Sequence, residues 1–344
     1  MRAPSPSLAQ VVAHDRRPLP GDPQDARRYV NLWTEPEALG GEEVRAFVLI
    51  LRTRGCYWAD IKGCTMCGYA RDTLGRSATE EEIAQQVRSA LRSYRDEPYV
   101  KIYTSGSFFD SREVPSRARR EVARAFRGRA RRLLVESLPE FLSEEELRDL
   151  REEFSGEVEV ALGLESTQEE VLRHAVGKGE HVTHYLEGAA LLRRAGVHPK
   201  AYLLLKPPYL TEREAIEDTV ESVRRAAEHF ETLSINPVHI QGGTVTEHLF
   251  RRGLYRPPWL WSLKEVLERA RPALPSSVRL VSFPTSGGNQ RGVHNCGRCD
   301  ADLLRAVQEA SLRQDLEPLQ GVPHCSCRAV WEWQSRLEAS APEV

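Results

Sequence analysis

From residue 45 onward the chain alternates short apolar runs with longer amphipathic stretches, and does so six times. The runs cover residues 45–51, 99–104, 132–136, 158–164, 201–205 and 232–238. The stretches between and after them, with apolar residues at helical spacing, are 79–93, 116–127, 143–151, 168–176, 182–195 and 211–229. Such a rhythm predicts a parallel sheet with helical crossovers. Six units predict an α/β fold built on a partial (β/α)6 barrel. Helix starts are marked by Ser143 with Glu146 and by Thr211 with Glu214, each spaced as a capping box. Gly196 marks a helix end before the fifth strand.

Sites in such sheets lie at the C-terminal ends of the strands. Every predicted strand is followed there by conspicuous residues, in the segments 52–56, 105–110, 137–140, 165–167, 206–208 and 239–244. Polar, Gly/Pro-rich turns explain Pro207 and Pro208. They do not explain Cys56, Cys64 and Cys67, which fall in the first of these loops and just beyond it.

The flanks are different in character. Residues 1–44, rich in Pro, Asp and Arg, read as an irregular arm or lead-in helix; 45–245 is the barrel. Residues 246–344, with four of the six tryptophans, read as a small C-terminal appendage with its own metal site. With 48 basic and 50 acidic side chains the net charge is −2, which excludes a globally basic nucleic-acid coat and a long acidic disordered chain. All but six of the basic residues are arginine. No segment has the roughly 18 apolar residues of a membrane span. The start lacks the apolar core of a secretory signal. A cytoplasmic location follows as an expectation, and clustered cysteines there read as metal ligands or catalysts.

Cys56, Cys64 and Cys67 form C-x7-C-x2-C. Three thiolates on one loop can ligate three irons of a [4Fe–4S] cluster and leave the fourth open. Zinc would need a fourth ligand, which Asp60 or Asp72 could supply. Plain burial of three cysteines is the bland alternative, and loops rarely bury them.

The segment LRTRGCYWADIKGCTMCGYARD, residues 51–72, resembles the cluster loop of radical S-adenosylmethionine (SAM) enzymes. The commonest spacing there has three residues, not seven, between the first two cysteines. The longer spacing, the arginines before it and Gly68-Tyr69 after it resemble the archaeosine-biosynthesis radical SAM lyase family, the partner of archaeosine synthase. Tyr103-Thr-Ser-Gly-Ser-Phe-Phe-Asp110 resembles the segment whose backbone meets the SAM amino group. Ala161–Ser166 with Val171–Gly179 resembles the fourth-strand region of relatives that act on tRNA. The resemblance implies a [4Fe–4S] cluster on the three cysteines and SAM beside it. It places Thr104, Ser105, Gly106 and Ser107 at the SAM amino group, Glu165 at the ribose or methionine end, and Met66 beside adenine. Glu136 ends the strand before Glu165 and joins this set by position, with a helix cap or an Arg partner as its plain alternative. Tyr57, Trp58, Phe108 and Phe109 are candidate apolar walls. Lys206 either holds a substrate anion or snorkels over the rim.

The implied reaction is the last step to archaeosine: scission of the C–N bond of a lysine-adducted deazaguanine base in the tRNA D-loop. The implied partners are tRNA and archaeosine synthase. Another radical SAM enzyme acting on RNA, or a zinc-only RNA-binding protein, are the alternatives. His174, His181 and His184 read as surface or core histidines, and no catalytic residue is assigned.

Cys296-x2-Cys299 and Cys325-x-Cys327 supply four thiolates in two knuckles. They suit a structural zinc site, with a second iron–sulfur cluster as the alternative; His294 and His324 flank them. Arg117, Arg120, Arg124 and Arg127 share one helix face, which is either an RNA-phosphate track or a solvated face.

Overall fold

A computed structural model of the protein describes residues 26–338. Among these residues eight strands form one sheet in sequence order: β1 Asn31–Leu39, β2 Glu42–Ile50, β3 Tyr99–Tyr103, β4 Arg132–Ser137, β5 Glu157–Glu165, β6 His198–Leu205, β7 Thr232–Pro237 and β8 Arg279–Val281. From β2 onward every pairing is parallel. Helices cross over the outside. They include α1 Tyr57–Ile61, α2 Glu80–Leu91, α3 Ser116–Phe126, α4 Glu144–Phe154, α5 Val182–Arg194 and α6 Glu212–Ala226. The six predicted units are present as a half-barrel.

The strands are amphipathic, which is unusual for a parallel sheet. Val100 and Ile102, Leu133 and Val135, Val158 and Val160, Leu203 and Leu205 face outward into the main core under the helices. The alternate positions turn into the barrel. They carry Tyr99, Lys101 and Tyr103 on β3, Glu159 on β5, and Lys200 and Tyr202 on β6. The main apolar core therefore lies between sheet and helices, and the barrel interior carries these polar groups beside a small apolar patch of Ala46, Tyr99 and Leu134.

Two expectations need correction. Residues 31–39, read as part of an irregular arm, form β1, antiparallel to β2. Gly40 and Gly41 make the two-residue turn with φ of +62° and +84°, the backbone that a twisted hairpin needs and that other residues resist. Residues 1–25 of the arm lie outside the described residues. The rhythm also does not stop at Thr246. Residues 246–338 add α7 Val245–Arg251, α8 Leu260–Ala270, β8, α9 Asp300–Arg313, α10 Glu317–Gln320 and α11 Cys327–Leu337. β8 extends the barrel sheet, and Trp259, Leu263, Leu303 and Trp331 join the main core. The appendage is a further side of the same body.

β1 and β8 are the two edges of the sheet, and charge draws them together. Glu37 on β1 lies 2.7 Å from Lys101 Nζ on β3 and 3.1 Å from Arg279 on β8. Lys101 also holds Glu35 at 2.7 Å. These cations keep the Glu37 carboxyl far below the usual carboxylate range despite its burial.

Helix starts follow their signals. Thr211 and Glu214 form a full capping box, as do Thr79 and Glu82. Ser143 accepts from the Glu146 amide, but the return bond is missing. The Glu146 carboxylate is drawn instead to the buried Arg119. The predicted helix 168–176 is a single π-helical turn, Val171–Val176, ending at Gly177.

Candidate active site

Cys56 sits directly before α1, on the loop that leaves β2, and is half-buried like Cys64 and Cys67. Neighbouring strand ends grip this loop. The Thr65 amide and hydroxyl donate to the carbonyls of Val176 and Ala175 at 2.8 and 2.6 Å. The Trp58 indole donates to Gly177 at 3.0 Å. The Gln241 side chain, after β7, accepts from the Gly68 amide. The loop thus closes the barrel mouth, tied to the segments after β5 and β7.

The loop after β3 comes closest of all. A Cβ added to Gly106 would stand 2.6 Å from Cys56 Cα and 2.9 Å from its nitrogen. Only glycine permits that approach. Glu113 holds the arrangement from beneath. It accepts from Thr53 Oγ1 at 2.6 Å, Ser105 N at 3.2 Å and Ser107 N at 2.6 Å. Its burial is nearly complete and pushes its carboxyl up to about 7. The sequence reading missed Glu113, because nothing local marks an acid that folds back on two loops.

Glu136 and Glu165 do meet at the mouth. Burial pushes Glu136 up to about 8, with Glu113 and Glu165 adding repulsion. It accepts from the Thr104 amide at 3.1 Å. Glu165 ends β5 with φ of +66°, a left-handed conformation uncommon for a side chain of this size, and a register shift precedes it. Its partner is Lys178, 3.3 Å away. Lys178 also lies in the field of Cys56 and Cys64, so a cation faces the thiols. It too went unassigned. Its signal was rarity: in a chain whose basic residues are nearly all arginine, Lys101, Lys200 and Lys206 are each under 5% exposed and Lys178 lines the mouth.

Met66 packs on a small apolar cluster at the ends of β6 and β7, made of Val176, Leu204, Val238, Ile240 and Tyr255. Other candidates fall away from the mouth. Phe108 and Phe109 are core, 0% and 4% exposed, and do not line a pocket. Lys206 does not snorkel over the rim. It is buried against Glu212, whose other oxygen accepts from Trp259 N and Ser262 Oγ at 2.8 and 2.6 Å. Arg120 and Arg124 lie against Asp149 and Glu153 of α4, and Arg117 against Glu80 and Glu121, so the arginine face is charge-compensated. His174, His181 and His184 are surface residues, each beside a glutamate.

The loop thiols suit a cluster better than a lone ion. Among the described residues, the one group of three or more potential ligands within 4.8 Å is Cys296, Cys299, Cys325 and Cys327. Cys56, Cys64 and Cys67 are spread more widely, yet Cys56 and Cys64 still share each other's field; burial pushes the Cys56 thiol up to about 11. A four-iron cube takes each thiolate on a different iron and needs that wider spacing.

The radical SAM superfamily model matches residues 50–223. The chain is 34% identical over 337 residues to archaeosine synthase subunit beta of Methanosarcina acetivorans, covering 96% of this chain and 97% of that protein.

This chain belongs to the archaeosine synthase subunit beta family of radical SAM proteins.

The same-named protein of Thermococcus kodakarensis is 35% identical over 309 residues, which are 88% of this chain and 95% of that one. Within the family fold, the matched residues run from the end of β2 into α6 and take in the cysteine loop, Glu113, Glu136, Glu165 and Lys178. No helix among the described residues is long and apolar enough to cross a membrane.

Proposed function

We propose that this protein completes archaeosine in tRNA by cleaving the C–N bond of a lysine-adducted deazaguanine base in the D-loop. The observation that carries the reading is the mouth itself. Three loop thiols, two buried carboxylates and one lysine converge at the C-terminal end of the sheet, in a chain collinear with archaeosine synthase subunit beta over nearly its whole length. A [4Fe–4S] cluster on Cys56, Cys64 and Cys67 would supply, when bound, the electron that cleaves SAM reductively.

The chain's own groups divide the remaining work. The Thr104–Ser107 loop, pressed on Cys56 and held by Glu113, offers backbone groups to the SAM amino group. Glu165 accepts from hydroxyls at the ribose or methionine end, and Lys178, 3.3 Å away, holds it in place. Glu136 is positioned as a second acceptor on the same side. The patch around Met66 gives the adenine an apolar wall and keeps water from the reacting carbon. The subunit name of the relatives supports a protein partner, which we take to be the synthase that adds the lysine. The cytosol, where thiolates stay reduced, is the compartment this chemistry requires.

The test is an anaerobic reaction of reconstituted protein with SAM, a reductant and tRNA carrying the lysine adduct, followed by nucleoside analysis. The expected result is archaeosine together with 5′-deoxyadenosine, both absent with Cys64→Ala. Reconstituted protein that cleaves SAM but leaves the adduct intact would overturn the assigned substrate. Protein that takes up no iron would overturn the enzyme.

A further inference from the structure

Cys296 and Cys299 lie on the turn before α9, and Cys299 caps that helix. Cys325 and Cys327 lie 29 and 28 residues further on, and Cys327 opens α11. All four sulfurs fall within 4.8 Å of one another. Cys296 and Cys325 are 3.6 Å apart, as are Cys299 and Cys327, and Cys325 stands 3.5 Å from Cys327. By sequence alone, these thiols suited either zinc or a second iron–sulfur cluster.

The spacing separates the two. A tetrahedron with zinc–sulfur bonds of about 2.3 Å has edges of about 3.8 Å. The three short edges, at 3.5–3.6 Å, are close to that, and the rest lie within 4.8 Å. An iron–sulfur cube binds each thiolate to a different iron at an outer corner, so its four sulfurs surround a cage and cannot approach to 3.5 Å. Disulfides are not formed either, since a bonded pair stands near 2.05 Å.

The surroundings suit a set of ligand thiolates. The Trp261 indole donates to Cys327 Sγ at 3.2 Å, and the Asn295 amide donates to Cys299 Sγ at 3.4 Å. Donors aimed at ligand sulfurs fix their orientation and spread their charge. Four thiolates around a divalent ion leave a net charge of about −2. Arg298 stands between the knuckles, 3.1 Å from Ser326 Oγ, and Arg328 follows the second knuckle. His294 is not needed as a ligand, because the four thiolates already fill a tetrahedron and His294 is not among the side chains gathered there.

We propose that Cys296, Cys299, Cys325 and Cys327 bind a single zinc ion in a closed tetrahedral site, and that the protein carries no second iron–sulfur cluster. The ion joins the start of α9 to the start of α11. From there the fastening runs inward. The Trp331 indole donates to Ser262 Oγ at 2.8 Å, Ser262 donates to Glu212, and Glu212 pairs with Lys206. Lys206 directly follows β6, with φ of +62°. The zinc thus secures the side of the barrel behind the mouth and takes no part in electron transfer. All four positions are filled by protein, so no site is left for SAM or substrate.

The experiment uses the full chain, expressed with iron and zinc in the medium and purified anaerobically. The variant Cys56→Ala/Cys64→Ala/Cys67→Ala should hold about one zinc per chain and no iron, with zinc X-ray absorption showing four sulfurs at about 2.3 Å. Cys299→Ser/Cys327→Ser should lose the zinc and keep the loop iron. Iron and sulfide retained in the triple variant would overturn the proposal in favour of a second cluster. Absence of metal at the C-terminal thiols, or zinc bound through nitrogen or oxygen, would overturn it as well. Should the triple variant fail to fold, zinc absorption on the unmodified protein gives the same decision. A wild-type protein with zinc but no iron would sink the lyase reading and leave this one standing.

Discussion

Single carboxylates carry much of the physical argument at this site. Glu113 accepts three donors from two loops, and glutamine in its place would turn an amide towards donors that need an acceptor. A buried donor left unpaired costs about 1–3 kcal/mol. Glu113→Gln should therefore lower the urea midpoint by that amount of stability, with an unchanged slope, and should lower the iron held after reconstitution. An unaltered midpoint would remove Glu113 from its structural role. Asp218, on α6, offers a pH test. It accepts from Ser166 Oγ at 2.6 Å, its other oxygen has no partner, and burial pushes its carboxyl up to about 6. Its folded value exceeds the unfolded one, so the protonated form favours the fold. That stabilisation is complete below about pH 4 and is lost as pH rises through about 6. Asp218→Asn cannot ionise. Relative to wild type it should gain about 2 kcal/mol on going from pH 4 to pH 8, read from melting curves at both. An equal difference at the two pH values would contradict the assignment.

At the scale of elements, close approach and capping decide. Gly106→Ala puts a methyl group inside the backbone of Cys56, where no side-chain rotation can relieve it. Reconstituted iron should fall several-fold, whereas Gly128→Ala, with open space around its Cβ, should keep its iron and cost only about 1 kcal/mol for its left-handed backbone. Equal iron in the two variants would show that the loop after β3 does not position Cys56. The two sequence-predicted caps should also differ. Thr211→Ala breaks a reciprocal box and should cost about 1 kcal/mol, while Ser143→Ala removes one bond from a helix whose Glu146 is already committed to Arg119, and should cost less. Urea midpoints of the two variants make the comparison. The arginine face of α3 teaches a related point. Its periodicity was plain in the sequence, but three of the four carboxylates beside it, Glu80, Asp149 and Glu153, come from α2 and α4, which no local pattern reveals.

For the whole molecule, the open question of any half-barrel is what holds its edges. Here it is a buried charge cluster, with Glu37 of β1 between Lys101 and Arg279. Removing one partner of a buried pair leaves an uncompensated charge and costs about 3–5 kcal/mol. Lys101→Met should lose stability on that order, and Lys101→Met/Glu37→Leu should recover a good part of it. Denaturant unfolding of both variants checks this, and a double variant no better than the single would show that Glu37 is satisfied by Arg279 alone. The C-terminal residues belong to the same scale. They add β8 to the sheet and two tryptophans, Trp259 and Trp331, to the shell around Glu212, so they pack as one side of the barrel.

The sequence by itself determined the α/β rhythm, the six central strands to within three residues at each end, the two cysteine sets and the acidic ends of β4 and β5. Each of these is written in local periodicity or in the spacing of chemically rare residues. The β1–β2 hairpin was also written locally, in Gly40-Gly41 between alternating runs, and was passed over under the composition of the arm. Only the tertiary structure decided the rest. Glu113, Lys178 and Gln241 reach the mouth from segments far apart in the chain, and Lys206 turns from the mouth to Glu212. The close packing of four thiols from two knuckles, which separates one ion from a cluster, depends on how α9 and α11 come together. Ion pairing, burial and metal geometry depend on distances between residues remote in sequence, and such distances exist only once the chain has folded.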